Sequence, residues 1–254
     1  VLVFFPTAET NETFRTIILE FRLPKALTAI LTGAALSVSG LQMQTVFRNP
    51  LAGPFVLGIS AGASLGVALF VLGFSSVLVF GLVSVTGAWT LAIVAWTGSF
   101  LVMLLVLYVS ARVNDIMTIL ILGILFSSAV AAIVSILQYF SNESMLKAFV
   151  IWTMGSLGSV TNSQLSVLTP AILAGIILAL VKIKDLNAFL LGENYARSLG
   201  VRIIKSRIII FLSTSLLAGT ITAFCGPIGF IGIAVPHICR VIFKTSNHLI
   251  LIPA

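Results

Sequence analysis

Few residues in this chain have side chains that could carry out chemistry, and their spacing matches no catalytic or metal-binding pattern. His237 and His248 are the only histidines, and neither lies at metal-ligand spacing from a Cys or a carboxylate. We find no nucleophile–base pair and no zinc-protease motif. The sequence therefore predicts no catalytic residue, no metal site and no cofactor, and it argues against an enzyme.

Composition explains why reactive side chains are so scarce. Hydrophobic residues make up 59% of the 254 residues and charged residues only 8%, whereas a soluble domain carries about 25% charged residues. Such a chain could not cover its surface in water, so we predict an all-α, polytopic membrane helix bundle. The formal charge of +7 comes from basic residues in short segments between apolar runs. Topology signals have this pattern, and nucleic acid is therefore not an expected partner.

Seven apolar segments can be distinguished, and most are close to the ~20 residues that a spanning helix needs. The second and the last are short and rich in glycine, so each spans only with a tilt or a break. The third is preceded by apolar residues that could form a turn or a re-entrant piece. The segments are 26–46, 57–73, 84–109, 116–140, 165–181, 204–224 and 228–243.

The basic residues predict the orientation. With residues 1–25 outside, the segments on the inside carry most of the Lys and Arg, as the positive-inside rule requires. Cys225 then lies near the outer face and Cys239 near the inner face, too far apart to form a disulfide.

No ionisable residue lies near the middle of a predicted segment. Transporters coupled to protons or ions usually keep such a residue at membrane depth. We therefore expect a transporter of this kind to take its energy from a partner.

Small and polar residues recur at helical spacing in two segments. Gly58, Gly62 and Gly66 form a double small-xxx-small pattern, which is typical of close helix packing in lipid. The fourth segment carries a longer stripe, for which two interpretations remain open: tight packing, or the wall of a hydrated pathway. That stripe consists of Gly123, Ser127, Ala131, Ser135 and Gln138.

The most polar internal stretch is the predicted inner loop at 182–202. Glu193 and Arg197 form an i, i+4 acid–base pair in the favourable order, and Gly200 is placed to end a short helix. A short helix lying along the cytoplasmic face is suited to docking a soluble partner; a solvated connector is the alternative.

Six blocks of sequence, in order along the chain, resemble the FecCD-type permease subunits of bacterial iron–siderophore, haem and cobalamin ABC importers. Each block alone is weak, but together they extend from Arg22 to Arg240. They are 22–27 (RLPKAL), 47–52 (FRNPLA), 57–63 (LGISAGA), 152–157 (WTMGSL), 191–200 (LGENYARSLG) and 226–240 (GPIGFIGIAVPHICR).

The resemblance implies a ten-helix permease of the bacterial cytoplasmic membrane that works as a homodimer, with cytoplasmic ATPase subunits and an extracytoplasmic binding protein. Arg22 and Lys25 would meet acidic residues of the binding protein, although snorkelling at the interface is the alternative. The helix 116–140 would line a pathway on the dimer axis. The residues implied to contact the ATPase are Gly192, Glu193, Ala196, Arg197, Leu199 and Gly200.

We therefore predict that residues 1–254 form one permease domain, lacking counterparts of the family's first helix and last two helices. The expected function is transport of a ferric siderophore, haem or corrinoid driven by a partner ATPase. A secondary transporter, a channel of unrelated class and a non-transporting membrane scaffold are the alternatives. The sequence leaves the substrate open among the three, and also leaves open whether the dimer is of identical chains.

Overall fold

The computed structural model describes residues 12–74, 88–113 and 115–254, and every regular element in these ranges is helical. Short π-helical segments at Ile17–Arg22 and Leu69–Phe74 flank longer helices, and a 3-10 turn at Pro54–Leu57 precedes α3. The α-helices are α1 (Glu12–Thr16), α2 (Leu23–Val46), α3 (Ile59–Ala68), α4 (Ala88–Arg112), α5 (Ile116–Tyr139), α6 (Glu143–Thr153), α7 (Asn162–Val181), α8 (Ile183–Leu190), α9 (Glu193–Ser198), α10 (Ile203–Cys225), α11 (Ile231–Phe243) and α12 (His248–Leu251).

Each of the seven predicted apolar segments contains a helix. Among the described residues, five helical stretches are long and apolar enough to cross a membrane, and two apolar helices, Ile59–Gly73 and Ile231–Phe243, are shorter. The short ones are the second and seventh segments, as predicted. The turn or re-entrant piece predicted before the third segment falls within residues 75–87, which lie outside the described residues. The five long stretches are Phe14–Val46, Trp89–Arg112, Ile116–Tyr139, Asn162–Val181 and Ile203–Cys225.

The helix α10 is the centre of the bundle. Of its apolar span, 78% is buried, and it packs against α2, α3, α4 and α7. The helix α5 is at the opposite extreme: only 22% of its span is buried, against α3, α4 and the turn before α3. A helix that is apolar all round but exposed within one subunit must face lipid or another protein surface.

Two long helices begin at side chains that satisfy free backbone N–H groups. Asp115 caps α5 by accepting from the backbone N of Met117 and Thr118 at 3.3 and 2.9 Å. Hydrogen bonds from Thr118, first from its hydroxyl and then from its backbone, hold the pKa of the Asp115 carboxyl below its ordinary value, and the charge of Arg207 adds a smaller effect. Thr161 and Gln164 form a reciprocal capping box at the start of α7.

Glycines bring α3 and α4 into backbone contact. A Cβ added to Gly66 would lie 2.7 Å from the Val94 carbonyl oxygen, and one added to Gly98 would overlap the Gly62 carbonyl. The lack of a side chain at Gly62 and Gly66 thus allows the α3 backbone to touch that of α4. Gly58 does not share that role: its φ of +77° turns the chain into α3, and its open side faces Phe126 of α5.

A second close contact joins α2 to α11. Gly40 lies directly against the carbonyl group of Gly232, and a Cβ on Gly232 would lie 2.9 Å from the Leu36 carbonyl oxygen and 2.7 Å from Pro54 Cδ. Pro54 lies between the FRNPLA and LGISAGA blocks, so Gly232 of the last block packs against the segment that joins those two blocks.

The last family block, 226–240, contains three glycines and two prolines, and it starts with a turn rather than a helix. Residues 226–230 are not helical, and α11 begins at Ile231, three residues later than predicted, because the breakers cluster in the turn. Gly226 has a φ of +76°, and a Cβ there would lie 2.5 Å from the Trp152 carbonyl oxygen. The backbone N of Ser156 donates to the Cys225 carbonyl at 2.7 Å. The WTMGSL block is therefore seated on the end of α10.

A buried polar cluster ties three helices together at the centre of the bundle. Gln42 of α2 is fully buried, and its amide donates to Ser213 Oγ at 3.1 Å and accepts from Thr214 Oγ1 at 2.9 Å. Ser213 in turn donates to the Gly175 carbonyl of α7 at 2.8 Å. Buried polar groups in lipid need such partners, so the cluster fixes the register of α2, α7 and α10.

Candidate functional site

The residues predicted to contact an ATPase lie together in α9 and its two flanking turns. Gly192, with a φ of +104°, allows the chain to turn from α8 into α9. Gly200 ends α9 as predicted: its backbone N donates to the Arg197 carbonyl and that of Val201 to the Ala196 carbonyl, with Gly200 at a φ of +84°. This pattern is a Schellman motif, in which glycine relieves the strain of a left-handed residue.

The side chains of α9 divide into an inward and an outward set. Ala196 is 0% exposed, so it packs against the body of the protein rather than facing outward. Tyr195 and Leu199 are 53% and 60% exposed, and Arg197 is also exposed. Buried as it is, Ala196 does not present its side chain to a partner, whereas Tyr195, which was not among the predicted residues, does; a helix of six residues presents only one face to its support.

The ion pair predicted between Glu193 and Arg197 does not form. Glu193 Oε1 instead accepts from Arg207 Nη2 of α10 at 2.5 Å. Arg207 lies close to the start of α9 in space, and it is buried, so it needs the carboxylate more than an exposed arginine does. The sequence signal was available: Arg207 is a basic residue within the predicted apolar segment 204–224.

The helix α8 is attached to α10 through Ser206, the residue that precedes Arg207. Asp185 of α8 accepts from Ser206 Oγ at 2.6 Å and from Lys182 Nζ at 2.8 Å. Ser206 and Arg207 are consecutive in the second turn of α10, and each holds one of the two short helices. The pair α8 and α9 is therefore fastened side by side to the first turns of the central helix.

The other side of α8 is joined to α2 through a buried histidine. His248 of α12 lies with Nδ1 2.7 Å from Asn187 Oδ1 and with Nε2 2.7 Å from Thr45 Oγ1. An amide oxygen only accepts, so Nδ1 carries the proton and Nε2 of the neutral ring accepts. Burial, and to a smaller extent the charge of Arg240, lower the pKa of His248 to about 4.

This lowered pKa predicts an acid-sensitive attachment of α8. The unfolded chain binds the proton with the ordinary pKa of 6.5, so the stability contributed by the neutral histidine is complete above pH 6.5 and is lost as the pH falls toward 4. The loss is at most roughly 3 kcal/mol. When the pH is lowered from 6.5 to 4, the melting temperature in detergent should fall less for His248→Gln than for the parent. Equal losses in both proteins would contradict this account.

The polar stripe of α5 lies along the edge of the helix's packing face. Gly123 is buried, and its missing side chain allows the Val56 carbonyl to approach, so Gly123 serves helix packing; this corrects the expectation that it lines an open wall. Ser127 and Gln138 are half-buried, and Ala131 and Ser135 are exposed. The hydroxyls of Ser127 and Ser135 donate back to the carbonyls four residues earlier at 2.8 and 2.9 Å. Pathway lining by these four residues stays a prediction.

The basic residues predicted to dock a binding protein lie on the surface. Arg22 ends the π-helical segment and Lys25 lies in the first turn of α2, and both are exposed. Neither forms an ion pair with an acidic residue in the part of the chain that the structure describes.

Within residues 12–74, 88–113 and 115–254, no group of three or more His, Cys, Asp or Glu side chains is arranged to hold a metal ion. Cys225 and Cys239 are both free thiols.

Comparison with known proteins points to a single family. The sequence pattern of the FecCD transport family matches residues 3–254. The hemin transport system permease protein HmuU of Yersinia pestis is 36% identical over 243 residues, which are 95% of this chain and 71% of that protein. The vitamin B12 import system permease protein BtuC of Klebsiella pneumoniae is 35% identical over 235 residues, covering 92% of this chain and 68% of that protein.

A third relative and a solved structure agree with this pattern. A probable iron chelatin transport system permease protein of Helicobacter pylori is 31% identical over 237 residues, or 93% of this chain and 69% of that protein. A solved inward-facing structure of a transporter assigned to the metal-chelate ABC type superposes with a TM-score of 0.84 at 30% identity. The superposition covers 98% of this chain and 77% of the solved one.

Proposed function

The chain belongs to the FecCD transport family and is a multi-pass, inner-membrane permease subunit of an ABC importer; from this premise we propose that its cargo is haem, a corrinoid or a ferric siderophore. Hemin, vitamin B12 and iron chelatin are the cargoes in the names of its relatives. All three are bulky metal complexes that cross as substrates, so the permease needs a wide pathway rather than a coordinating site.

The observation that carries the mechanism is the attachment of α8 and α9 to α10. The family implies a partner ATPase and a substrate-binding protein. We assign the ATPase to the outward face of α9, where Tyr195, Arg197 and Leu199 are exposed. Force on that face reaches the central helix through Ser206 and Arg207, and α10 contacts four other helices of the bundle.

The exposed side of α5 is assigned to a second copy of the permease. Of the five long helices α5 is the least buried in its own subunit, while its packing edge carries Ser127, Ser135 and Gln138. A pathway between two copies would place these side chains in water and the aliphatic residues of α5 against the partner or lipid. Hydroxyl and amide groups can meet water there without the cost of burying a charge.

Arg22 and Lys25 are assigned to the binding protein on the outer face. They are exposed and lie one helical turn apart, and opposite charges on a partner would steer its approach and fix its orientation. ATP binding and hydrolysis in the partner then shift the population between outward-open and inward-open states. The chain itself, residues 1–254, acts as one permease domain and performs no covalent chemistry.

The test is ATP-dependent uptake into proteoliposomes that contain the permease, its ATPase and its binding protein. Hemin, cyanocobalamin and a ferric siderophore are supplied separately, with free ferric ion as the control. We expect accumulation of one of the three complexes that requires both ATP and the binding protein. Uptake that is independent of ATP but follows an ion gradient would overturn the proposal in favour of secondary transport.

A further inference from the structure

Arg207 has a position that the membrane topology alone does not explain. It is the largest of the fully buried side chains that the structure describes, at 1% exposure, and it lies in the second turn of the central helix α10. Its neighbour Lys205 is exposed, as is usual for a basic residue at a helix end. Burying a guanidinium is costly unless its N–H groups are paired, so its contacts indicate why it is there.

Those contacts join three separate elements. Nη2 donates to Glu193 Oε1 at the start of α9, and Nη1 lies 3.4 Å from the Val113 carbonyl oxygen, between α4 and α5. The same charge acts on Asp115, whose carboxylate caps the first turn of α5. One planar side chain anchored in α10 thus contacts both the ATPase-facing helix and the segment that leads into α5.

We propose that Arg207 is the positioning residue that couples displacement of α9 to movement of the first turn of α5. This inference rests on the proposed function, because it requires that the ATPase move α9 and that α5 line the pathway. The helix α9 has only six residues and is too short to be stable alone, so it follows the groups that hold it. Arg207 provides a contact route between the two surfaces through a single side chain of α10.

The contacts of position 207 require an arginine rather than a lysine. A guanidinium can pair with Glu193 and with the Val113 carbonyl through different nitrogens held in one plane, whereas a lysine ammonium is a single point charge on a flexible stem. Arg207→Lys keeps the charge but loses the fixed link between the two partners. Its effect on coupling should therefore lie closer to that of Arg207→Gln than to the parent.

The experiment measures two quantities in proteoliposomes of the assembled transporter: substrate molecules imported, and ATP molecules hydrolysed. A purely structural role would reduce the number of assembled transporters and lower both rates in proportion, leaving their ratio unchanged. We expect Arg207→Gln to lower the ratio of import to hydrolysis about tenfold. The matched control is Lys205→Met, an exposed basic residue on the same helix, which should keep the parent ratio.

The double variant Glu193→Gln, Arg207→Gln tests whether the two side chains act through their contact with each other. Because both side chains act through one contact, the double variant should be no worse than the more affected single variant. The proposal would be overturned if Arg207→Gln kept the parent's ratio of import to hydrolysis. It would also be overturned if the reductions of this ratio in the two single variants added up in the double variant. If the parent transporter itself shows no ATP-driven import, the proposed function fails, and that result is distinct from a failure confined to the Arg207 variants.

Discussion

Replacing Ala196 by Trp is expected to uncouple ATP hydrolysis from import, with about a hundredfold fall in substrate moved per ATP. Ala196 lies on the inward face of α9 and is completely buried. A tryptophan cannot be accommodated there, because overpacking a close-packed contact forces the backbone to shift. The helix would be lifted from its support, and the link from Glu193 to Arg207 would be lost with it.

The measurement is again the ratio of import to hydrolysis in proteoliposomes. Ala174→Trp is the control: this alanine is exposed on α7, away from α8 and α9, so the same side chain should leave the ratio unchanged. Coupling at the parent level in Ala196→Trp would show that the position of α9 does not control import.

The second large effect is expected for Gly40→Ala, which should destabilise the protein by about 3 kcal/mol. An added Cβ would overlap the carbonyl group of Gly232, a backbone atom that a change of side-chain rotamer cannot move. α2 and α11 would have to separate, and the Gly232 contacts with Pro54 and Leu36 would be lost.

Gly33→Ala provides a control on the same helix, because no atom lies within 4 Å of its added Cβ. It should unfold at the parent temperature or slightly above it, since alanine favours helix more than glycine does. The melting temperatures of Gly40→Ala and Gly33→Ala in detergent are compared, with unfolding monitored by a probe that does not react with thiols. Equal melting temperatures for both variants would mean that α2 and α11 can move apart without cost.

Periodicity and composition were enough to locate the seven apolar helices, whereas α1, α6, α8 and α12 lie outside the predicted segments. The seven apolar segments, the end of α9 at Gly200 and the close approach of α3 at Gly62 and Gly66 follow from patterns within one segment. What the sequence could not supply was the partner of each contact. Gly98 and Gly232 complete the glycine contacts, and Arg207 rather than Arg197 pairs with Glu193, because proximity in space decided these pairs and spacing along the chain did not.

The candidate site shows the same division. The sequence located α9 correctly, but it could not tell which face of so short a helix points inward, so it did not anticipate that Ala196 is buried and Tyr195 is exposed. The stripe on α5 was found from its spacing, yet Gly123 turned toward the 3-10 turn before α3. The buried Gln42 cluster was missed, although a glutamine within an apolar segment was a visible signal.

The central claim is that ATPase action on α9 opens a water-filled pathway along α5. The direct measurement is labelling of single cysteines by a water-soluble thiol reagent in the assembled transporter, with Cys225 and Cys239 replaced by Ser. Ser127→Cys and Ser135→Cys probe the stripe, and Ile121→Cys on the apolar, exposed side of α5 is the control. We predict that positions 127 and 135 react at rates that change with the bound nucleotide, and that position 121 does not react. Equal protection of all three positions, with no dependence on nucleotide, would contradict the claim and place the stripe in a dry helix contact.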